Sequence, residues 1–440
     1  MVNSREKVLE LFRAQEDFMH DRVNSGIENY RKGDCLIILT DKHGAPIKKA
    51  NISVSHKKHE FKFGANLFAL DQFETEEKNK KYREMFKEIF NIATLPFYWT
   101  SIEPQKGELR YEKGCSEIYR RPPIDLCIEY CEENGIEPRE HALAYQTPFP
   151  KWLRGKSSFE IKKELRRRIS EIADRYADKI PTMEVTNEMY WDMNDICFYK
   201  QDDYIPWCFK EVEKFMPNNQ IAINEHGMIW YTGNGTNRDR YYMQIEDLLN
   251  KGIRIDAIGT QFHMFTKQED EYAWTRKTYS PEFLYRVMDK YAEFSLPLQM
   301  TEITIPAYSG DKFDEDIQAE ILKNLYSIWF SHKNMEQIIY WNFIDGYAAG
   351  ERGDMTSGEN KFYGGILRPD FSEKPAYKVL NKLINEEWRT NESLVTDDEG
   401  KACFRGFYGD YDIEIEVNGR LTHLSMSFSK KGDGHIEISI

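Results

Sequence analysis

Eight short runs rich in β-branched and aromatic residues recur through the middle of the chain, and this repeat restricts the fold more than any other feature. The runs lie at 61–68, 91–99, 137–145, 182–188, 220–225, 255–263, 297–304 and 337–343. Their mean spacing of about 40 residues suits one strand, one helix and two loops. Because strands that alternate with helices pair in parallel, the repeat predicts an α/β fold, a closed (β/α)8 TIM barrel. No glycine-rich phosphate loop follows the first run, which disfavours an open nucleotide-binding sheet.

Three of the segments between or after the runs show a clear helical pattern. Residues 157–177 start at Ser157, a residue type that caps helices, and then place apolar residues at helical spacing among charges. Residues 313–333 and 372–386 show the same spacing. These segments supply the helices that a (β/α)8 topology requires.

Both ends of the chain differ from the middle, because apolar and polar residues alternate there and turn signals such as His43-Gly44 and Asn418-Gly419 separate the alternating stretches. We predict that the two ends combine into one accessory β-sandwich beside the barrel. The predicted domains are an N-terminal helical segment at 1–33, sandwich strands at 34–59 and 389–440, and the barrel at 60–388. The aromatic cluster at 404–411 is expected to support the sandwich rather than to bind a ligand.

Composition limits the partners. A net charge of -14 and a pI near 5.4 oppose nucleic acid and anionic membranes, because both partners need a basic patch. The seven cysteines form no paired metal or disulfide pattern, which is typical of free thiols in a reducing compartment. The start of the chain contains no apolar run long enough for a signal sequence, so we expect a cytoplasmic location.

Two glutamates occupy equivalent places in the repeat. Glu188 ends the fourth run and Glu302 lies near the end of the seventh. In a barrel, the carboxyl ends of the strands meet at one face, and catalytic side chains lie there. Two carboxyl groups about 5–5.5 Å apart can hydrolyse a glycosidic bond with retention, one as proton donor and the other as nucleophile. The pair therefore indicates a glycoside hydrolase, although a single strand-end Glu more often pairs with a cation.

The runs that carry these glutamates resemble glycoside hydrolase family 10, the xylanase family. The resemblance covers 60–386 and includes "SIEPQKGELRY" (101–111), "HALAYQTPFPKWL" (141–153), "EVTNE" (184–188), "IDAIGTQFH" (255–263), "MTEITI" (300–305), "NMEQIIYWNF" (334–343) and "SEKPAYKVL" (372–380). It implies a retaining double displacement in which Glu188 is the acid/base and Glu302 the nucleophile. It requires no metal and no organic cofactor.

The resemblance also implies binding roles. Asn187 corresponds to the residue that hydrogen-bonds the sugar hydroxyl next to the anomeric carbon, and His263 to the histidine that contacts the nucleophile. Gln261 lies two residues before His263 and therefore on the same side of its strand. Trp341 matches an aromatic wall of the subsite for the cleaved sugar, with ordinary barrel packing as an equal alternative.

The sequence departs from the family on the glycone side, the non-reducing side of the cut. Family members usually carry Glu-Asn and Lys after the second strand, and Trp-His after the third. Here the matching stretches are "TLPFYWTSIEP" and "HALAYQTPFP", so Tyr98 replaces a polar clamp and Tyr145-Gln146 replaces Trp-His, while His141 remains. We expect Tyr98, His141 and Gln146 to bind substrate, and we expect weak activity on plain linear xylan.

The sequence thus predicts an endo-1,4-β-xylanase-like glycoside hydrolase acting on β-1,4-xylan or xylo-oligosaccharides. One alternative is a related barrel hydrolase that acts on another β-glycan or on a decorated oligosaccharide. An alternative of another class is a carbohydrate-binding protein without catalysis. The expected partner is an oligosaccharide or polysaccharide, and the oligomeric state stays open.

Overall fold

A computed structural model describes residues 4–190, 196–231 and 238–440. In chain order the strands are β1 (Lys32–Thr40), β2 (Asn51–His59), β3 (Lys62–Asn66), β4 (Ile92–Pro96), β5 (Glu137–His141), β6 (Ala144–Tyr145), β7 (Thr182–Asn187), β8 (Gln220–Glu225), β9 (Ala257–His263), β10 (Leu298–Thr304), β11 (Met335–Tyr340), β12 (Asn391–Val395), β13 (Lys401–Phe407), β14 (Gly409–Val417), β15 (Arg420–Phe428) and β16 (His435–Ser439). The α-helices are α1 (Glu10–Ala14), α2 (Glu16–Tyr30), α3 (Glu76–Ile89), α4 (Trp99–Ile102), α5 (Ile124–Asn134), α6 (Ser158–Tyr176), α7 (Tyr204–Phe215), α8 (Met228–Tyr231), α9 (Arg240–Asn250), α10 (Glu271–Thr278), α11 (Pro281–Tyr291), α12 (Lys312–Ser331) and α13 (Pro375–Lys382).

Eight parallel strands close into a barrel, which confirms the fold that the repeat predicts. Their hydrogen-bonded order is β5-β4-β3-β11-β10-β9-β8-β7, and pairing of β5 with β7 closes the ring. The two-residue strand β6 continues beside the end of β7. Each of the eight runs overlaps one barrel strand, and the carboxyl ends of these parallel strands share one face of the molecule.

The barrel strands are buried because helices cover their outer side and other strands face their inner side. Every residue of β7 and of β10 is buried. Helix α6 begins after Ser157, which forms a capping box with Glu160 as the cap-like serine predicts. The predicted helix at 372–386 is shorter than expected, because α13 ends at Lys382 and a π-helical turn follows at Leu383–Glu387.

Both chain ends build the accessory sandwich, as predicted. Strand β1 lies between β13 and β16, and β2 lies between β12 and β14, with β15 outside β14. The residues buried between the two sheets are Cys35, Ile37, Leu39, Ala50, Ile52, Val54, Ala402, Phe404, Tyr411, Ile413, Ile415 and Phe428. The aromatic cluster at 404–411 thus supplies part of this core, and Phe407 stacks on Phe330 of the barrel layer.

Two buried arginines fasten the N-terminal helices to the barrel. Arg5 pairs with Asp314 at 2.7 Å and with Glu271 at 3.2 Å. Arg31 donates to the carbonyl oxygens of His332 and Met335 at 2.5 and 2.7 Å. Removing either guanidinium would leave buried carboxylates or carbonyls without a donor, which is costly. Within the described ranges, no helix combines the length and the apolar character needed to cross a bilayer.

Candidate active site

A cleft of about 700 Å³ lies at the carboxyl ends of the barrel strands. Glu188 follows β7 and Glu302 lies in β10, and both line this cleft. The other lining residues are Tyr98, Tyr145, Thr147, Asn187, His226, Gly227, Gln261, His263, Met264, Phe265, Thr266, Trp274, Trp341 and Glu359. We call Asn187, Glu188, Gln261, His263 and Glu302 the carboxylate floor.

One amide group links the two carboxyl groups of the floor. Nε2 of Gln261 lies 3.1 Å from Oε1 of Glu188 and 2.9 Å from Oε1 of Glu302. The two glutamate oxygens are therefore no farther apart than about twice the length of a hydrogen bond. This upper limit is compatible with the separation of about 5–5.5 Å that a retaining glycosidase needs.

Glu302 receives two further contacts besides the one from Gln261. Nδ2 of Asn224 lies 3.3 Å from Oε1, and Nε2 of His263 lies 3.2 Å from Oε2. Nδ1 of His263 lies 3.0 Å from the Thr304 hydroxyl, and burial lowers the pKa of His263 to about 4. A neutral His263 can accept from Thr304 at Nδ1 and then donate its Nε2 proton to Glu302.

Electrostatics at Glu302 oppose the ionised form that a nucleophile needs. Burial raises the pKa of Glu302 to about 8, His141 acts in the opposite direction, and the carboxylates of Glu188 and Glu184 add to the increase. Hydrogen bonds from amide and imidazole donors favour the carboxylate and oppose this increase. The acidity of Glu302 therefore depends on the donors that surround it.

The backbone at Glu188 adopts a left-handed conformation, with φ of 50°. This region is unfavourable for residues with a side chain, so neighbouring contacts must hold it. Nε2 of Gln146 donates to the Glu188 carbonyl at 3.1 Å, and the buried Glu225 carboxylate accepts from the Met189 amide at 2.8 Å. The hydroxyl of Tyr145 lies 2.5 Å from Oε2 of Glu188. Backbone and side chain of Glu188 are thus both fixed.

A buried ion network lies beneath Glu302. The Glu184 carboxylate contacts Arg139 at 2.6 Å and Nδ1 of His141 at 2.8 Å. Burial lowers the pKa of His141, but the Glu184 and Glu302 carboxylates outweigh it and the net shift is upward. Nε2 of His141 lies 3.2 Å from the Tyr98 hydroxyl, so the network reaches a residue of the cleft lining.

The same network contains a possible set of metal ligands. Donor atoms of His141, Glu184 and Glu302 lie within 4.8 Å of one another. The charged guanidinium of Arg139 lies against Glu184, and the Glu302 oxygens contact amide and imidazole donors. Because cationic and neutral donors already surround these carboxylates, we interpret the group as charge pairing and not as a metal centre.

Aromatic side chains form one side of the cleft. Tyr98 and Tyr145 line the cleft, and Phe68 packs behind Tyr98; we call these three residues the tyrosine wall. Tyr98 contacts both other rings edge to face, with ring centroids 5.6 Å from Phe68 and 5.9 Å from Tyr145. Trp341 is 5% exposed and packs edge-on against Phe68 at 5.1 Å and His141 at 5.4 Å. Trp341 also lines the cleft. It therefore packs in the barrel and borders the substrate space at the same time.

The opposite side of the cleft carries exposed aromatic residues. Phe265 and Trp274 are 38% and 53% exposed, and both line the cleft. The Phe265 ring stacks on His263 with centroids 4.6 Å apart. Flat apolar rings of this kind suit the faces of sugar rings.

Most of the residues predicted from sequence lie together at this site. Tyr98, Asn187, Glu188, Gln261, His263, Glu302 and Trp341 line the cleft. His141 and Gln146 do not line it: His141 contacts Tyr98 from behind, and Gln146 contacts the Glu188 backbone. Sequence reasoning did not assign roles to Asn224, Glu359, Phe265 and Trp274. Asn224 alone had a recognisable signal, since it lies one residue before the carboxyl end of a barrel strand.

The molecule is a closed parallel barrel in which Glu188 and Glu302 share the Gln261 amide at the carboxyl ends of the strands. This arrangement is typical of the class of barrel glycoside hydrolases. The family model for glycosyl hydrolase family 10 matches residues 54–382. The chain belongs to this family, as the sequence resemblance predicted.

Relatives at low identity cover most of the chain. The anti-sigma-I factor RsgI6 of Acetivibrio thermocellus is 25% identical over 407 residues, which are 91% of this chain and 47% of that protein. Endo-1,4-beta-xylanase 1 of Arabidopsis thaliana is 21% identical over 88% of this chain and 37% of its own length. Endo-1,4-beta-xylanase B of Thermotoga neapolitana is 23% identical over 77% of this chain and 90% of its own length. The chain thus spans less than half of the first two relatives.

Solved structures share the fold. Xylanase 10B from Thermotoga petrophila, in complex with xylobiose, superposes with a TM-score of 0.58 at 20% identity, over 74% of this chain and 95% of that one. Native xylanase 10B from Thermotoga maritima gives the same score and identity over 74% and 96%. The part of the chain that these structures do not cover is about the size of the terminal sandwich and helices.

Proposed function

We propose that this protein is a retaining β-glycoside hydrolase that cleaves β-1,4-linked xylan or xylo-oligosaccharides. The observation that carries the proposal is the Gln261 amide shared by Glu188 and Glu302, because it holds two carboxyl oxygens within about two hydrogen-bond lengths, which is compatible with double displacement. Membership of family 10 supports the same activity.

In the first step Glu302 attacks the anomeric carbon, and the bond from that carbon to the leaving oxygen breaks. Glu188 gives its proton to the leaving oxygen. In the second step Glu188 takes a proton from water, the water oxygen bonds to the anomeric carbon, and Glu302 is released. Gln261 and Tyr145 hold the Glu188 carboxyl group in both steps.

Asn187 is proposed to bind the sugar hydroxyl next to the anomeric carbon. Its Oδ1 accepts from Asn224 at 3.0 Å and from Gln261 at 3.2 Å. These two contacts orient the amide and direct its NH2 group away from the floor donors. Asn187 lines the cleft, so this NH2 group can donate to a substrate hydroxyl.

The glycone-side residues support a preference within the β-xylan class. Tyr98 and Tyr145 replace the polar clamps of the family, and each has one hydroxyl already in contact with His141 or Glu188. Fewer groups then remain to pair with sugar hydroxyls, and unpaired hydroxyls lower affinity. We therefore propose better turnover of decorated or short xylo-oligosaccharides than of plain linear xylan.

Hydrolysis of an aryl β-xyloside tests the catalytic assignment. Glu302→Ala should reduce kcat by roughly 10⁴-fold or more because the nucleophile is lost. Glu269→Ala is the matched control, since Glu269 is exposed and lies outside the cleft lining. Equal rates for the parent protein and Glu302→Ala would refute the nucleophile assignment.

Binding without turnover is the alternative that the same assay has to exclude, because one relative carries the name of an anti-sigma factor. Calorimetric binding of xylo-oligosaccharides together with no release of reducing ends by the parent protein would favour this alternative. A pure binder has no need for two carboxyl groups that repel each other.

A further inference from the structure

Arg121 lies on the tyrosine wall with its guanidinium group stacked on aromatic rings. Its central carbon is 4.0 Å from the centroid of Tyr98 and 5.1 Å from that of Phe68. The two rings are nearly perpendicular, at 77°, so they hold the guanidinium between them by cation–π contacts. The N–H groups lie at the edges of the planar guanidinium. Arg121 does not itself line the cleft, but the Tyr98 ring that it contacts does, so the guanidinium lies directly next to the cleft lining.

Within residues 4–190, 196–231 and 238–440, most hydrogen-bond donors of Arg121 have no acceptor. Its Nη1 donates to the carbonyl of Arg120 at 2.7 Å. No carboxylate in the described part of the chain forms an ion pair with it. The neighbouring Arg120 differs, because it is buried and donates to Asn342 at 3.2 Å and to the Tyr347 carbonyl at 2.8 Å.

The charge on Arg121 is only partly compensated. The side chain is half-buried, and burial lowers its pKa to about 10, so the group stays protonated at neutral pH. Arg120 adds a second positive charge, and Glu359 contributes the opposing carboxylate. Glu359 itself accepts from Asn342 at 2.8 Å. Water solvates the exposed part of this cation, and a ligand carboxylate would compensate its charge more fully.

We infer that Arg121 forms a subsite for an acidic sugar unit, such as a uronic acid substituent, on the glycone side of the substrate. This inference rests on the proposed glycosidase function and specifies its substrate class. A planar guanidinium with free N–H groups matches a carboxylate in two parallel hydrogen bonds, whereas neutral hydroxyls require no charge. On this side of the cleft, Arg121 therefore recognises an acidic substituent, where other family members bind sugar hydroxyls.

The experiment compares two xylo-oligosaccharides of equal length, one neutral and one with a single glucuronic acid near its non-reducing end. For the parent protein at low salt, kcat/KM should be about tenfold higher on the acidic substrate, as expected for a charge-assisted pair. Arg121→Gln should remove this preference and leave kcat/KM on the neutral substrate within about twofold. Arg121→Lys keeps the charge without the planar fork and should restore part of the preference.

Arg352→Gln is the matched control, because Arg352 carries the same charge but pairs with Glu117 at 3.2 Å. This variant should keep the preference for the acidic substrate. Equal kcat/KM values for both substrates with the parent protein, or a preference that survives in Arg121→Gln, would overturn the inference. An equal loss on both substrates in Arg121→Gln would also overturn it, since Arg121 would then bind hydroxyls.

Failure of this inference can be separated from failure of the proposed function. Hydrolysis of an aryl β-xyloside that depends on Glu302 supports the catalytic assignment whichever oligosaccharide is preferred. If that hydrolysis does not depend on Glu302, the proposed function itself is wrong. Circular dichroism and thermal unfolding of the Arg121 variants show whether the stacked wall stays folded.

Discussion

The carboxylate floor and the tyrosine wall border the same cleft but differ in how their side chains are held. The floor residues lie in β7, β9 and β10 or directly after β7, and the amide of Gln261 connects them. Phe68 and Tyr98 lie in the loops after β3 and β4, Tyr145 ends the two-residue strand β6, and the wall residues make aromatic contacts. A rigid floor suits chemistry that all substrates share, whereas a loop-borne wall can change with the substrate. Floor variants should therefore affect every substrate, and wall variants should discriminate among substrates.

After the loss of the nucleophile Glu302, the largest effect is expected for Glu188→Ala. This variant should lose roughly 10³-fold or more in kcat on substrates with poor leaving groups, but much less on activated aryl glycosides, because only the former need a proton. Azide should restore part of the turnover and give a β-glycosyl azide. An α-azide, or equal losses for both kinds of leaving group, would contradict the role of Glu188 in the floor.

The pH profile of the parent protein tests the electrostatics of the floor. Glu302 must be deprotonated to attack, and its pKa is raised to about 8 by burial and by neighbouring carboxylates. Since the ionised fraction falls about tenfold for each pH unit below the pKa, kcat/KM should fall on the acid side of neutrality. His263→Ala removes one donor to Glu302 and should move this acid limb to higher pH. An acid limb near pH 4 in the parent protein would contradict the raised pKa.

Tyr145→Phe tests the point where wall and floor meet. The hydroxyl of Tyr145 lies 2.5 Å from Glu188, so its removal releases one oxygen of the acid/base group. We expect a loss of about tenfold in kcat on poor leaving groups and a smaller loss on activated ones. Tyr190→Phe is a suitable control, because that hydroxyl contacts Gln244 at 2.6 Å. Equal losses in kcat on substrates with poor and with activated leaving groups would show that Tyr145 does not assist proton transfer by Glu188.

The smallest effect is expected for Tyr98→Ala on substrates that do not reach the wall. Hydrolysis of an aryl monoxyloside should change by less than about threefold, while kcat/KM on longer oligosaccharides should fall by about tenfold through lost stacking. Equal losses on both substrates would mean that Tyr98 acts through His141 on the floor, since the two side chains are 3.2 Å apart.

The floor was largely predictable from the sequence, and the wall was not. A strand has a period of two, so Gln261 and His263 had to share a side, and Asn187 and Glu188 had to lie where a strand ends. Gln146 shows why this reasoning fails in loops. It follows the two-residue strand β6, and the side chain of Tyr145 takes the cleft position while Gln146 contacts the Glu188 backbone. The left-handed backbone at Glu188 and the stacking of Arg121 depend on distant segments, which no local pattern reports.

The interleaved sandwich has a consequence for synthesis of the chain. Strands β1 and β2 leave the ribosome before the barrel, but their partners β12, β13, β14 and β16 follow it. Until then the edges of both early strands carry unpaired N–H and C=O groups, which favour association between nascent chains. Translation therefore has to pass β16 before both edges of β1 can be paired. A stop codon placed after the barrel would leave the edges of β1 and β2 permanently unpaired. Deleting β1 and β2 together with the C-terminal strands would remove these edges and the association that they favour.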